Sequence, residues 1–181
     1  MIRSLFRSLG AAALLALAMP LSAADITLEW DDMIPEGWPP AELFEGINID
    51  ELQDDDPEAI EFFAKIEQLW DEAPMVESLD GKRVRLPGYA IPLEGDSRSV
   101  TSFLLVPYFG ACIHVPPPPR NQTVLVNMAE GKTARIRHAF FTVWVTGTMT
   151  VETSETDLAL TGYTITADKV EPYEPDDSAG Y

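Results

Sequence analysis

The second half of the chain alternates apolar and polar residues in short runs that turn residues separate. This pattern begins after Leu79 and predicts β-strands, because successive side chains of a strand point to opposite faces. There are five runs: Lys82–Leu93, Val100–Val115, Thr123–Asn127, Thr142–Thr153 and Leu160–Val170. The second run is one long strand or a pair of strands. The first run is expected to break at Pro87 and Gly88, and Gly147 predicts a bulge or a sharp bend in the fourth.

Short strands with glycines inside them suit a sheet that must bend strongly. We therefore predict a mainly β domain over residues 79–173, in the form of a small OB-like five-stranded barrel. An open β-sandwich is the alternative, because the pattern alone does not decide whether the sheet closes on itself.

In the segment before the barrel, apolar residues recur every three or four positions, which predicts one amphipathic helix. Asp56-Pro57-Glu58 has the residues of a helix start: a capping aspartate, a proline in the first turn and an acid behind it. Pro74 marks the end. We expect the apolar stripe to pack on the domain's own core, with a partner-binding helix as the alternative. The stripe consists of Ile60, Phe63, Ile66 and Trp70, and Phe62 and Leu69 widen it.

The first residues have the three parts of a secretory signal peptide. Arg3 and Arg7 give a positive start, an apolar run extends from Gly10 to Met19, and small residues end at Ala24. The run is too short to span about 30 Å of hydrocarbon. We therefore predict export, cleavage near Ala24, a periplasmic location and no membrane insertion after cleavage. Residues 1–24 are assigned to the signal peptide, 25–78 to an acidic N-terminal arm and the helix, and 174–181 to a disordered tail.

Charge narrows the range of partners. The chain has 12 basic and 30 acidic residues; without the two arginines of the signal, 10 basic residues remain and the net charge is −20. Such a surface repels phosphate backbones, which excludes nucleic acid as a partner. It suits a divalent metal or a basic patch on another protein, although acidity also serves solubility by itself.

The candidate chemistry lies around the only cysteine of the chain. If Gly110–Val115 is extended, Cys112 and His114 lie on one face and can reach a single cation. A thiolate and an imidazole suit Zn²⁺, with copper as the alternative, and His138 is a candidate third ligand. The structural alternative is a buried Cys112 that acts as a small apolar residue, beside a hydrogen-bonded His114.

Four prolines follow this pair and lock the chain into a polyproline II rod without hydrogen-bond donors. The rod is either a stiff wall beside the Cys/His face or itself a ligand for an aromatic groove. As a wall it holds the three polar residues that follow at a fixed place. The predicted binding residues are Pro116, Pro117, Pro118, Pro119, Arg120, Asn121 and Gln122.

The sequence does not predict an enzyme. It contains no Gly-x-Ser-x-Gly elbow, nucleotide-binding loop or His-Glu-x-x-His helix. Cys112 and His114 have the residue types of a thiol–imidazole dyad, but no third group that would orient the imidazole is evident.

Longer motifs carry a family resemblance. The runs WDDMIPEGW, DGKRVRLPGYAIPLE, LLVPYFGACIHVPPPPRNQ, VWVTGTM and GYTITADKVEPY resemble an uncharacterised family of small proteobacterial periplasmic proteins. Members are often encoded beside an ABC transporter of the macrolide-exporter type and another periplasmic protein, in clusters linked to zinc supply. The resemblance implies an accessory protein for metal handling, with zinc as the expected metal, associated with the ABC transporter system or with another periplasmic protein. The alternative is a non-catalytic interaction module of an envelope transporter assembly, with a buried structural cysteine.

Overall fold

The computed structural model describes residues 24–39, 57–96, 98–113 and 117–174. The predicted signal peptide up to Ala23, the capping Asp56, His114, Pro116 and the tail beyond Glu174 lie outside these residues. The described part contains one α-helix, α1, over Pro57–Asp71. Its strands are β1 Ile26–Thr27, β2 Arg83–Asp96, β3 Ser99–Val106, β4 Val124–Met128, β5 Phe141–Glu155 and β6 Leu160–Pro172.

The sheet closes into a barrel. Its strand order is β1-β2-β3-β4-β6-β5, and β2 also pairs with β5, so that the last five strands form a closed ring and β1 is an extra strand. The β4–β6 and β1–β2 pairs are parallel, and the other pairs are antiparallel. The prediction of a mainly β, OB-like five-stranded barrel with one helix is confirmed, and the sandwich alternative is wrong.

The predicted break at Pro87 and Gly88 is wrong, because β2 runs through both residues. At Pro87 the strand has β5 on one side only, since β1 ends at the Thr27–Arg85 pair and β3 begins to pair at Tyr89. A proline without an N–H is tolerated at such an edge. The Trp30 ring fills the gap: its Nε1 donates to Pro87 O at 2.9 Å. Gly88 permits this packing, because a Cβ there would lie 3.0 Å from Trp30 Cζ2.

Of the strand or pair of strands predicted over Val100–Val115, the described residues form a strand only as far as Val106. Pro107 follows and cannot donate to a sheet ladder, so residues 107–113 turn away instead of continuing β3. Gly110 has φ 91° and Cys112 has φ 64°, which are left-handed conformations and not extended ones. The alternation that was expected to place Gly110, Cys112 and His114 on one strand face therefore does not hold in the described part of this segment.

The irregularity predicted at Gly147 is present in the β5–β6 pairing, but the extra residue, Asp168, belongs to β6 and not to β5. Thr146 pairs with Lys169 but Gly147 pairs with Ala167, so one residue of β6 is skipped at this point. A Cβ on Gly147 would lie 2.7 Å from Ala167 Cα, which is closer than real contacts of this kind. The glycine thus allows β5 and β6 to approach closely where the barrel bends.

Tyr163 connects the barrel to the segments that precede it. Its side chain on β6 is fully buried in the main core. The hydroxyl accepts a hydrogen bond from Val76 N at 2.7 Å and donates one to Met33 O at 2.9 Å. One side chain therefore holds both the N-terminal arm and the linker between α1 and β2 against the barrel.

Helix α1 does not join the barrel core. Two of its buried residues, Phe62 and Ile66, form a separate small cluster, with Leu69 and Trp70 packed against it. Ile60 is 58% exposed and Phe63 is 49% exposed, so part of the predicted stripe faces outward. None of the helices among the described residues has the length and the apolar character that a membrane span requires.

Candidate functional site

A groove of about 530 Å³ lies between α1 and the segment that contains the proline run. We call it the helix–proline groove. Its volume falls within the usual range of about 300–1,000 Å³ for ligand sites, and most of its lining is aromatic or aliphatic, as is typical of such sites. The lining residues are Phe62, Phe63, Ile66, Glu67, Trp70 and Asp71 of the helix, and Pro117, Pro118, Arg120 and Leu160 on the barrel side.

The proline wall of the groove is held from behind. Pro118 is buried, and Pro119 has φ −51° and ψ 149°, close to the polyproline II conformation. The hydroxyl of Thr123 lies 3.3 Å from both Pro118 O and Pro119 O, to which it can donate. Prolines have few conformations to lose, so a wall of this kind is ordered before any ligand binds.

Arg120 anchors the end of α1. Its Nε donates to Ala73 O at 2.8 Å and its Nη2 to Glu72 O at 3.3 Å. These carbonyls follow the last helical turn, where cationic side chains satisfy unpaired acceptors and interact favourably with the helix dipole. A third bond, from Nη1 to Thr153 Oγ1 at 3.1 Å, connects the same guanidinium to β5.

Asn121 and Gln122 continue this clamp. Asn121 Nδ2 donates to Pro74 O at 2.9 Å, and Gln122 Nε2 donates to Trp30 O at 2.9 Å. Asn121 is fully buried, and its Oδ1 has no hydrogen-bond partner among the described residues. The three polar residues after the prolines therefore bind the chain's own backbone and fix the position of α1 and of the arm.

The outer edge of the groove is acidic and partly apolar. Glu67 and Asp71 lie one turn apart on α1, and both are exposed. Phe63 lines the groove at half exposure, beside Phe62, whose ring centroid is 5.7 Å away. An apolar segment that enters the groove would bury Phe63 and would bring any flanking cation close to these two carboxylates.

Cys112 lies on another part of the barrel surface. It packs against a second apolar cluster that includes Ile91, Leu104 and Phe140. Burial raises the pKa of the Cys112 thiol to about 11. A thiol with a raised pKa keeps its proton at neutral pH, which disfavours nucleophilic attack.

His138 is exposed and packs edge-on against Phe141, with 5.4 Å between the ring centroids. Its Nδ1 lies 2.9 Å from Ala139 O. In the described segments, no group of three or more His, Cys, Asp or Glu side chains is arranged to hold a metal ion. Since His114 lies outside those segments, the metal site of Cys112, His114 and His138 stays a prediction.

Sequence reasoning missed the groove although it named residues on both walls. The helical stripe was expected to face the core, and the prolines were expected beside Cys112 and His114. The available signal was the width of the stripe: Phe62, Phe63, Ile66, Leu69 and Trp70 cover more of a helix than one buried face needs. The partnership between this helix and the proline run, some fifty positions later, is set by hydrogen bonds that have no local sequence signature.

Comparison with known proteins gives a family and a related structure. The family model DUF3299, described as a protein of unknown function, matches residues 30–172, a span that contains α1, the proline run and the barrel. The chain is similar to a crystal structure of a DUF3299 family protein from Pseudomonas aeruginosa PAO1, with 40% sequence identity and a TM-score of 0.65. The match covers 85% of this chain and 99% of that one. No curated protein matches the chain.

Proposed function

The chain belongs to the DUF3299 family, whose function is unknown. From the geometry of the site, we propose that the protein is a non-catalytic module that binds an apolar segment of a protein partner in the helix–proline groove. The observation that carries this proposal is the half-exposed Phe63 on the wall of an otherwise apolar cleft. Large apolar side chains that a partner buries in a preformed groove are the usual anchors of protein interfaces.

The charge of the groove edge defines the chemistry of the partner. Glu67 and Asp71 border the groove, and the chain carries a formal net charge of −18. The cation on the opposite wall, Arg120, already donates to Ala73 O, Glu72 O and Thr153 Oγ1. A segment with apolar anchors and flanking Lys or Arg residues is therefore complementary, and an acidic segment is repelled.

The proposed setting follows from the predicted signal peptide and from the family resemblance. An exported chain would act in the periplasm, where the periplasmic part of an ABC transporter or another periplasmic protein would supply the basic, apolar segment. Metal handling stays a separate proposal, since Cys112 and His138 do not line the groove and His114 lies outside the described residues. Elemental analysis of residues 25–181, beside Cys112→Ser, checks that reading: about one zinc or copper ion per chain, lost in the variant, would favour it.

Peptide selection tests the partner-binding proposal without knowledge of the partner. Random peptides displayed on phage would be selected on residues 25–181, and the selected peptides would be titrated by calorimetry. We expect sequences that combine at least two large apolar residues with flanking Lys or Arg. Enrichment of acidic peptides would contradict the charge argument.

Matched variants on α1 locate the binding. Phe63→Glu places a charge in the groove at a half-exposed position, and we expect at least about a tenfold weaker affinity. Glu67→Lys should produce a smaller loss that salt reduces further. Ile60→Glu and Glu61→Lys change exposed positions of the same helix outside the groove and should bind as the wild type does. Equal affinity for wild type and Phe63→Glu would overturn the proposal.

A further inference from the structure

A basic stretch stands out in this acidic chain. Residues 131–143 read GKTARIRHAFFTV and contain three cationic residues and no acidic one, in a chain with 30 acidic residues. Within it, buried Ala134 and Ile136 alternate with exposed Arg135 and Arg137. Both arginines therefore point away from the core on the same side. The backbone is fixed by reciprocal bonds between Ala134 and Val100, at 2.9 and 3.0 Å.

The two arginines border a pocket of about 230 Å³ at the end of the barrel where β5 begins and β6 ends. We call it the barrel-end pocket. Apart from Glu171, its remaining lining residues are apolar, and one of them, Val143, belongs to the main core. The lining residues are Arg135, Arg137, Phe141, Val143, Val170, Glu171 and Pro172.

The charges of this pocket are not balanced within the described part of the chain. Neither Arg135 nor Arg137 has a hydrogen bond or an ion pair there, and Arg137 lies 5.8 Å from the centroid of the Phe141 ring. The acidic residue of the lining, Glu171, pairs with Lys169 at 2.8 Å. More distant carboxylates are screened over about 8 Å at physiological salt. Two guanidinium groups thus border a partly apolar cavity whose one carboxylate, Glu171, already pairs with Lys169.

We propose that the barrel-end pocket binds a small organic monocarboxylate with an apolar body. The carboxylate would accept hydrogen bonds from Arg135 and Arg137, for which the guanidinium fork is the preferred partner. The apolar body would pack on Phe141 and Val170. The volume lies below the range of drug-sized ligand sites, so the body is limited to one ring or a short branched chain. This site is separate from the helix–proline groove and does not depend on the function proposed for it.

Titration with three probes tests the chemistry of the site. Benzoate is the probe for the proposed class, benzyl alcohol lacks the charge, and inorganic phosphate lacks the apolar body. Using residues 25–181 and amide chemical shifts, we expect saturable binding of benzoate, with the largest shifts at Phe141 and Val143, and at least about tenfold weaker binding of the other two probes. No saturable binding of benzoate would overturn the proposal. Equal binding of benzyl alcohol would refute the role of charge, and equal binding of phosphate would reduce the site to a general anion site.

Variants assign the binding to the two arginines. Arg135→Gln and Arg137→Gln should each weaken benzoate binding about tenfold or more, because each removes a charged hydrogen-bond donor. Both positions are exposed, so the thermal midpoint should remain that of the wild type. Arg98→Gln, at an exposed cation in the β2–β3 turn, is the matched control and should leave the affinity unchanged. A similar loss in all three variants would indicate a non-specific charge effect and would contradict the proposal.

Discussion

Replacement of Tyr163 by phenylalanine removes one oxygen atom and leaves the buried ring in place. The hydroxyl accepts from Val76 N at 2.7 Å and donates to Met33 O at 2.9 Å. Without it, a backbone donor in the linker after α1 and a backbone acceptor in the N-terminal arm both lose their partner. Met33 is fully buried, so water does not readily replace the lost bond on that side.

The expected cost follows from these two groups. A buried polar group without a partner costs about 1–3 kcal/mol, and Val76 is half-buried and partly regains hydration. We expect Tyr163→Phe to lower the free energy of unfolding by about 2–4 kcal/mol. For a chain of this size the thermal midpoint should fall by roughly 5 to 15 °C.

Urea denaturation monitored by circular dichroism measures the change, and Tyr173→Phe is the matched control. The Tyr173 ring packs against Trp144 at 5.0 Å, and its hydroxyl has no hydrogen bond within the described segments, so its removal should cost less than about 0.5 kcal/mol. Hydrogen exchange at the Val76 amide should be faster in Tyr163→Phe. Equal stability of Tyr163→Phe and wild type would refute the argument that this hydroxyl holds the arm and the linker.

The pH dependence gives a second readout. Burial raises the pKa of Tyr163, so the folded state keeps the phenol protonated where the unfolded chain ionises. The phenol of Tyr163 contributes its full stability below about pH 10, which is the pKa of tyrosine in the unfolded chain. This contribution is lost as the pH rises through the higher pKa that the phenol has in the folded protein. The difference in stability between wild type and Tyr163→Phe should therefore narrow above about pH 10, and a constant difference would contradict the assignment.

Three further predictions follow from particular contacts. Gly147→Ala should lower the free energy of unfolding by about 1–3 kcal/mol, because its methyl group would lie 2.7 Å from Ala167 Cα; unchanged stability in urea would contradict this packing. Alkylation of Cys112 by iodoacetamide should rise with an inflection near pH 11, since burial raises the pKa of the thiol to about 11; an inflection near the ordinary value of about 8.5 would show an accessible thiol. Arg83→Gln removes bonds of 2.6 and 3.1 Å to Asp168 and should cost about 0.5–1 kcal/mol at neutral pH. Because Arg83 lowers the pKa of Asp168 through these bonds, the stabilisation is present above the pKa that Asp168 has in the unfolded chain and is lost as the pH falls. A difference in stability between wild type and Arg83→Gln that persists in acid would refute this role of the ion pair.

The barrel could be predicted from the sequence because its signals are local. Alternation of apolar residues gave the strands, and Gly147 gave the position of the irregularity, since both depend on neighbours within one segment. Pro87 shows where local signals fail. A proline interrupts an isolated strand pattern, but here it lies at an edge that Trp30 covers from a distant part of the chain. Pro107 shows the opposite case. The apolar run around it predicts a continuous strand, but Pro107 has no backbone N–H to donate and β3 ends at Val106.

The candidate site could be predicted only in part. The proline run and Arg120 were recognised as binding residues, but their partner, the end of α1, was not, because the bond from Arg120 to Ala73 O joins segments 47 positions apart. The paired Cys112 and His114 depended on an extended conformation that the left-handed φ of Cys112 contradicts. Spacing arguments of this kind require the backbone conformation to be known first.

The position of β6 in the ring has a consequence for biogenesis. β6 pairs with β4 on one side and with β5 on the other, so both strands keep an open edge until residues 160–172 are available. The N-terminal β1 likewise waits for its partner on β2, far along the chain. The strands β2 to β5 can pair with one another before β6 is available, but the ring cannot close without it. Under the predicted export, the edges of β4 and β5 would stay unpaired until residues 160–172 have crossed the membrane, and unpaired strand edges favour aggregation.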